Sequence, residues 1–429
     1  MVAKRSLLII FGYLLAFVLP MRGQSSATLE LADCQQLALS RYPLQQQKPL
    51  LEQAHRLKLA QLDAQRMPSI FWKAKTTYQS ETVSLPFVLP GQDAAFKVPK
   101  FNGQTTLEGN YVLYDGGAIN ANQALQAAML AKDLQAVEVS LYPVKEQVQQ
   151  LYFGVLLLRT QDQVLANSIG DLQQRLANLA ALEKHGVGLP LNSHKLEVQV
   201  LTLEKRRADL QGQEESLLAL LGDLMGQTLT AETILAPPSI PAVTFDEGSQ
   251  RPELSLFSKQ KQVILEQSKL IDIQQKPKVS AFLQAGVGYA NPLNFFDDNL
   301  SPFAIGGIQF QWNIWDGKQG QKQKDWLLVQ SQLVDNQAAT FEYQQRLLDQ
   351  QYLKEAQKIA TLMVRDKEVI QLQETILQQV NAQLAQGIIT STEYVSELNT
   401  QINAKLELAL HELQLQQLKV TYLTKKGVL

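Results

Sequence analysis

The sequence predicts an α+β membrane protein in which a unit of long coiled-coil helical hairpins and β-strands occurs twice. Three observations predict this fold class. Short motifs recur along the chain at constant offsets, as expected of an internal duplication. Apolar residues repeat at seven-residue spacing through the longest helical stretches, and four shorter stretches alternate between apolar and polar residues.

The composition argues against several classes of protein. The 429 residues include 39 Lys and Arg against 41 Asp and Glu, so the net charge of −2 gives no reason to expect a nucleic-acid partner. Cys34 is the only cysteine, which excludes a disulfide framework and a cysteine-built zinc site. We find no nucleophile elbow, phosphate loop or histidine cluster in the sequence. The chain is therefore not expected to be an enzyme, and no catalytic, cofactor or metal site is predicted.

Residues 1–23 have the pattern of a secretory signal peptide. Lys4 and Arg5 precede an apolar run that ends at Pro20, and this run is shorter than the roughly 20 residues that a transmembrane helix needs. Cleavage after residue 23 and cleavage after residue 27 both fit the sequence, and an uncleaved anchor is the alternative. No later stretch is as apolar over such a length, so an exported chain that crosses a membrane must do so with β-strands.

Repeated motifs define two copies of one unit. Pro68 and Pro277 lie 209 residues apart, and each closes a helical stretch before a strand-like run. Further along, Tyr114-Asp115-Gly116-Gly117 is matched 201 residues later by Trp315-Asp316-Gly317-Lys318. The two offsets differ by eight residues, which places a length difference in the strand region of the first copy.

Each copy is predicted to contain a helix, two strands and a helical hairpin, in that order. The first repeat, 24–226, is expected to hold a helix at about 29–66, strands at about 70–80 and 104–114, and a hairpin over 117–226. The second repeat, 251–429, is expected to hold a helix at about 251–276, strands at about 279–290 and 305–315, and a hairpin over 318–425. An irregular equatorial linker at 227–250 separates the two repeats.

The hairpins carry a heptad pattern. In the first hairpin, apolar residues occupy every seventh position from Leu130 to Leu179, which is typical of coiled-coil packing. Pro143 lies inside this helix and is predicted to kink it or to break a turn. Gly186 and Gly387 mark the points at which each long helix ends and the chain turns back.

Each of the four strands has one apolar face and one polar or small face, with aromatic residues near the ends. A length of about ten residues and these features suit strands that cross a membrane, although any single strand also fits a half-buried sheet. Open sheet edges are not tolerated in lipid, so four strands must be completed by other copies of the chain. About eight strands enclose a barrel filled by side chains, whereas about twelve leave a lumen. A trimeric 12-stranded β-barrel is therefore predicted.

These features together resemble the TolC family of outer-membrane channel (efflux) proteins. The resemblance is carried by Arg251-Pro252-Glu253-Leu254, by the paired Tyr114-Asp115-Gly116-Gly117 and Trp315-Asp316-Gly317, and by the glycine hairpins after the long helices. It covers essentially the whole mature chain. It implies a homotrimer in outer-membrane lipid, with a periplasmic α-helical tunnel that holds most of the mass.

The resemblance also implies a function and partners. A channel of this family works with a periplasmic adaptor (membrane fusion) protein and an inner-membrane RND or ABC transporter. Together they export drugs, proteins or other solutes, and the channel conducts passively because the transporter supplies the energy. No cofactor and no nucleic acid are implied, and the cargo and the transporter class are left open.

Three groups of residues receive roles from the resemblance. The hairpin tips that meet the adaptor correspond to Gly186-Val187-Gly188-Leu189 and Gly387-Ile388-Ile389-Thr390. The acidic pore constriction corresponds to Glu393 and Ser396, with Glu397 adjacent, so one of the two acidic positions holds a serine. The strand-to-helix turns contain Asp115, Gly116, Asp316 and Gly317, where aspartate can accept hydrogen bonds from first-turn amides.

Two alternatives accompany these predictions. Glu393 and Glu397 also suit the start of a helix, because the helix dipole favours carboxylates in the first turns. The chain as a whole also fits an exported coiled-coil scaffold, or an adaptor-like structural protein with a small β domain. That alternative predicts a soluble periplasmic protein, and the amphipathic strands argue against it.

Overall fold

The computed structural model describes residues 28–84, 87, 97–184, 190–240, 243–245, 248–294 and 299–429, so the predicted signal peptide lies outside the described residues. The first half contains α1 (Leu31–Arg41), a 3₁₀ helix (Pro43–Gln46), α2 (Gln47–Ala64), β1 (Ser69–Tyr78), β2 (Phe101–Tyr114), α3 (Ala118–Lys184) and α4 (Pro190–Met225). The second half contains α5 (Pro252–Gln274), β3 (Lys278–Tyr289), β4 (Ser301–Gln311), α6 (Gln319–Ala385) and α7 (Ser391–Lys426).

The two halves share the order of their strands and long helices. α3 and α6 are each 67 residues long, and α4 and α7 are each 36 residues long. The long helices begin at 118 and 319 and the return helices at 190 and 391, so each pair is 201 positions apart. The helices therefore repeat at the same spacing as the Asp-Gly motifs.

The helix predicted at about 29–66 is divided into three pieces in the structure. Tyr42 is extended, with a ψ of 131°, directly before Pro43. A proline ring disfavours the helical conformation in the residue before it, which explains the interruption. Arg251 has the same conformation, with a ψ of 139°, and α5 begins directly after it at Pro252.

Pro143 does not break α3, which is helical from Ala118 to Lys184. Proline removes one backbone donor from the helix. The flanking residues Tyr142 and Val144 are buried, and the Tyr142 hydroxyl donates a hydrogen bond to the carbonyl oxygen of Thr424. The Arg251 guanidinium lies 3.8 Å from the centre of the Tyr142 ring. Of the predicted kink or break, the break is therefore wrong, because packing on both sides of the proline holds the helix together. The kink stays a prediction.

The four strands form one antiparallel sheet in the order β1-β2-β3-β4, with β1 and β4 at its edges. The register aligns the apolar rows of neighbouring strands. One face contains the cross-strand row Trp72, Leu107, Ala285 and Ala304. The next row, on the opposite face, contains Lys73, Thr106, Gly286 and Phe303. The sheet thus has one continuous apolar face and one face of mostly polar or small residues.

β4 ends four residues earlier than the sequence predicts. Its ladder with β3 ends where Lys278 faces Gln311, because β3 begins directly after Pro277, which has no backbone N–H to donate. Beyond this point the indole Nε1 of Trp312 donates to the carbonyl oxygen of Gln275, at 3.1 Å. The predicted strand at 305–315 is therefore corrected to Ser301–Gln311.

The apolar core lies between the helices, in two main clusters. One cluster lies around α1, where residues of α3, α4 and α7 also meet, and it includes Tyr152 and Met225. The other follows both hairpins and includes Leu172, Leu196 and Tyr394. Within the described ranges, we find no helix whose length and hydrophobicity would let it cross a bilayer.

Candidate functional site

A carboxylate joins β2 to the long helix α3. The two oxygens of Asp115 accept hydrogen bonds from the backbone N–H groups of Gly117, at 2.8 Å, and Ile119, at 2.7 Å. These amides belong to the first turn of the helix, where N–H groups have no partner within the helix. Burial raises the pKa of Asp115, but the hydrogen bonds from Ile119 and Gly117 outweigh it, so the pKa lies below its usual value.

Asp316 makes the equivalent contacts at the start of α6. Its oxygens accept from the backbone N–H groups of Lys318, at 2.9 Å, and Gly320, at 2.8 Å. The side-chain amide of Gln275 donates to the same carboxylate, at 3.1 Å. The hydrogen bond from Gly320 is the main cause that holds the pKa of Asp316 below its usual value. At the start of each long helix, a negatively charged aspartate therefore fixes the turn by which the chain leaves the sheet.

The two turns differ at one backbone position. Gly116 and Gly117 have φ angles of +72° and +91°, a region that L-residues with a side chain rarely occupy. Their counterparts are Gly317, with a φ of +67°, and Lys318, with a φ of +69°. The second turn thus holds a lysine in a conformation that favours glycine.

The second hairpin tip is closed by two well-defined helix ends. At the end of α6, the N–H of Gly387 bonds to the carbonyl of Leu384, at 3.0 Å, and the N–H of Ile388 bonds to that of Gln383, at 2.9 Å. This pair of bonds, with Gly387 at a φ of +70°, is a Schellman motif. At the start of α7, Thr390 and Glu393 cap each other through side chain and backbone.

The three candidate constriction residues lie on the first two turns of α7. Glu393 and Ser396 are exposed, and Glu397 is half-buried. The Glu393 carboxylate accepts a hydrogen bond from the N–H of Thr390, at 2.8 Å. The Glu397 carboxylate accepts one from the Gln373 side-chain amide of α6, at 2.7 Å. Both carboxylates are thus oriented by their own chain, in line with the helix-start interpretation of Glu393.

The first hairpin tip, Gly186-Val187-Gly188-Leu189, lies outside the described residues. The flanking helices show that its position along the chain matches that of the second tip. α3 ends at Lys184 and α4 begins at Pro190, while α6 ends at Ala385 and α7 begins at Ser391.

Contacts between the two hairpins lie close to the candidate constriction, and the sequence did not indicate them. Lys195 of α4 donates from Nζ to the hydroxyl of Thr392 of α7. One turn further on, the Gln199 amide donates to Oδ1 of Asn399, at 2.7 Å. The start of α7 is therefore tied to the first hairpin by polar contacts in addition to the apolar cluster that contains Leu196 and Tyr394.

A second polar cluster at the opposite end of α7 was also missed. Lys426 is 3% exposed and pairs with Asp349 of α6, at 2.8 Å. Lys425 pairs with Glu146 of α3, at 2.7 Å. A signal for this region exists in the sequence, because Gly427, which ends α7 with a φ of +81°, lies 201 residues after the glycine that ends α4.

No protein-family model matches the sequence, and no curated protein sequence matches it. Solved structures do match. The outer membrane protein VceC from Vibrio cholerae is 13% identical, with a TM-score of 0.62, and the match covers 92% of this chain and 96% of VceC. The CmeC outer membrane channel from Campylobacter jejuni is 12% identical, with a TM-score of 0.59, covering 92% of this chain and 85% of CmeC.

The MtrE outer membrane channel from Neisseria gonorrhoeae is 11% identical, with a TM-score of 0.59, covering 92% of this chain and 88% of MtrE. At such identities the likeness concerns the fold, which extends over nearly the whole chain and nearly the whole of each channel. The resemblance to TolC-family channels that the sequence predicts is thus confirmed at the level of the fold.

Proposed function

We propose that this chain is the outer-membrane exit channel of a tripartite export system. A homotrimer conducts drugs, proteins or other solutes passively through a periplasmic helical tunnel to the outside. A periplasmic adaptor protein links it to an inner-membrane RND or ABC transporter, which supplies the energy. The observation that carries this proposal is a sheet with one apolar face, joined to two helices of 67 residues. Both edges of this sheet are open in the part of the chain that the structure describes.

The sheet has the features of one part of a larger barrel. Its apolar face exposes large side chains such as Trp72, Ile308 and Phe310. Exposed apolar surface of this extent marks contact with lipid or protein. Within the described residues, the outer edges of β1 and β4 are unpaired. Such edges would be costly in lipid, so they require pairing with another copy. Three sheets of four strands give a barrel of about twelve strands, wide enough for a lumen.

Contacts between the two halves suggest how copies meet. β2 of the first half pairs with β3 of the second, and α5 packs against both α3 and α6. By the same arrangement, β4 would pair with β1 of the next copy, and α2 of the next copy would pack against α6. α6 has apolar side chains available for this contact, because Leu328, Val364 and Leu372 are exposed. Three copies would then form a ring of six similar units.

The helices have the length needed for a tunnel. At 1.5 Å per residue, α3 and α6 each extend for roughly 100 Å, several times the thickness of a bilayer core. A helix of this length that cannot enter lipid must project from the membrane. We place this part of the chain in the periplasm, with the helices lining a water-filled path.

The two hairpin tips form the periplasmic end in this proposal. Gly186–Leu189 and Gly387–Thr390 contact the adaptor, and Glu393, Ser396 and Glu397 line the constriction. Three copies bring six carboxylates together around the narrow opening. The chain's own hydrogen bonds to Glu393 and Glu397 fix where these carboxylates point, so the helix-start role and the pore role coexist. Opening would separate α7 from α4, to which Lys195 and Gln199 now tie it.

Two adjacent residues of β3 test the membrane role. Leu283 is exposed on the apolar face, and Gln284 lies on the opposite face beside Glu108. Leu283→Arg would place a charge against lipid, at a cost of about 2–4 kcal/mol near the bilayer midplane. We expect Leu283→Arg to lose both the outer-membrane trimer and conductance in planar bilayers, whereas Gln284→Arg keeps both.

The same pair of variants decides between the channel and the scaffold. Membrane fractionation and planar-bilayer recording of the full chain are the measurements. A wild-type product that is soluble in the periplasm would refute the channel. So would equal tolerance of the two arginine substitutions in a membrane-bound product.

A further inference from the structure

Charged residues of the sheet lie on one face. The four strands contain four charged side chains, and the register places all of them on the polar face: Lys73, Lys75, Glu108 and Lys278. β4 contains none. If the apolar face contacts lipid, as proposed above, these four groups face the lumen. The lumen wall formed by the strands then carries a net charge of +2 per chain, from three lysines and one glutamate.

One of the three lysines is neutralised locally. The Lys73 ammonium forms an ion pair with the Glu108 carboxylate, which is mostly buried. Glu108 also accepts a hydrogen bond from the Thr106 hydroxyl, at 3.4 Å. Among the described residues, neither Lys75 nor Lys278 has a carboxylate within ion-pair distance. Lys278 lies at the first position of β3, so Lys75 is the unpaired positive charge inside the strand region.

Lys75 borders a recess on the polar face near the outer end of the sheet. The recess measures about 360 Å³. Its lining includes the polar side chains of Lys75, Thr77, Gln79, Asn102, Gln104 and Asn291, and no carboxylate of the described residues contributes to it. An ammonium surrounded by amide and hydroxyl groups offers hydrogen-bond donors to an anion and repels a cation.

We propose that the strand region of the lumen is an anion-attracting band centred on Lys75. Three copies place three unpaired ammonium groups around the same level of the lumen. Solutes that carry carboxylate, phosphate or sulfonate groups are concentrated there, whereas the constriction at the other end carries Glu393 and Glu397. This inference rests on the proposed channel function and adds a preference among the solutes that the channel conducts.

The connections beyond the strands carry charges of their own, and Asp93, Asp297 and Asp298 lie outside the described residues. The connection 79–100 is balanced in charge, and the connection 290–300 carries Asp297 and Asp298. Lys75 lies three residues below the end of β1, a distance of about 10 Å at the rise of a β-strand. In ~0.1 M salt the screening length is also about 10 Å, so a charge farther than that from Lys75 acts on it only weakly.

The test uses the full chain in planar bilayers with ~0.1 M KCl and inositol hexakisphosphate as a polyanionic blocker. Wild type is compared with Lys75→Gln, with Lys75→Arg and with the double variant Lys73→Gln, Glu108→Gln. The double variant is the matched control, because it removes two charges on the same face and leaves the net charge unchanged. Reversal potentials in a KCl gradient are recorded alongside the block.

We expect the wild type to be blocked more strongly when the polyanion is added on the side of the strand connections. Lys75→Gln should raise the half-blocking concentration about tenfold and lower the chloride-to-potassium permeability ratio. Lys75→Arg and the double variant should remain within about twofold of wild type. The proposed band would be overturned if the half-blocking concentration of Lys75→Gln equalled that of wild type. It would also be overturned if the double variant raised this concentration as much as Lys75→Gln does. Absence of any conductance in wild type would instead overturn the channel itself.

Discussion

The long helices α3 and α6 have equal lengths and equivalent positions in their repeats, but their surroundings differ. α3 packs against α1, α2, α4, α5 and α7, whereas within the described ranges α6 packs against α5 and α7. The difference is visible residue by residue. Phe153 of α3 is 1% exposed, and Lys354, 201 positions later, is exposed. The two halves thus share the length, the turn and the helix end, whereas the faces of their helices differ.

This difference shows which properties each half takes from its local sequence. The Asp-Gly turn and the glycine that ends each hairpin depend on neighbouring residues, so both copies retain them. The faces of the helices depend on what lies beside them. α3 is enclosed by its own chain, and the exposed face of α6 suits contact with another copy.

The largest expected effect tests the difference between these helices. Phe153→Ala would leave a cavity in the cluster that contains Tyr152 and Met225, and we expect a loss of about 3–5 kcal/mol in the free energy of unfolding. Lys354→Ala, at the equivalent position of α6, should change it by less than about 0.5 kcal/mol. Urea unfolding of the detergent-purified protein, followed by circular dichroism, measures both. Losses of similar size would show that the two helices are equally enclosed.

A smaller effect distinguishes the two strand-to-helix turns. Alanine is unfavourable at the positive φ of both Gly116 and Gly317, by about 1–2 kcal/mol. A Cβ at Gly116 would also lie 3.0 Å from Cβ of Lys276 and 3.3 Å from the Pro277 carbonyl oxygen, whereas a Cβ at Gly317 meets nothing within 4 Å. Gly116→Ala should therefore destabilise the protein more than Gly317→Ala in the same urea titration. The reverse order would mean that the two turns do not share one geometry.

The turns also predict a dependence on pH. The pKa of Asp115 is lower in the folded protein than its ordinary value of about 3.9, so its ionised form stabilises the fold. This contribution is complete above about pH 4 and is lost as the pH falls through the folded pKa. Asp115→Asn should thus be less stable than wild type at neutral pH, and the difference should shrink in acid. A difference that stays constant from pH 7 to pH 3 would contradict this account.

Local backbone chemistry explains which parts of the fold could be predicted from the sequence. Pro252 begins a helix because its ring restricts the backbone at that residue. Gly387 ends one because the missing Cβ frees its backbone to adopt a positive φ. The alternation of the strands sets which side chains share a face, and the observed register of Trp72 with Leu107 follows from it.

The parts that could not be predicted depend on distant partners. β4 ends where β3 has no further residue to pair with it, and nothing within 301–315 signals that limit. The helix continues through Pro143 because Thr424 and Arg251 hold the adjacent Tyr142 from elsewhere in the chain. The tie between Lys195 and Thr392 likewise joins residues that no local pattern relates.

The smallest expected effect concerns the one backbone difference between the turns. Lys318 adopts a φ of +69° where the first repeat has Gly117 at +91°. Lys318→Gly would relieve roughly 1 kcal/mol of backbone strain, and the greater freedom of glycine in the unfolded chain would offset part of that gain. We expect a net stabilisation below about 1 kcal/mol, seen as a higher urea midpoint with an unchanged slope.

Gly117→Lys is the matched reverse change and should lower the urea midpoint by a similar amount. A Cβ at this position meets nothing within 4 Å, so only the backbone conformation differs in energy. Destabilisation by Lys318→Gly would show that the lysine side chain has a structural role in the second turn.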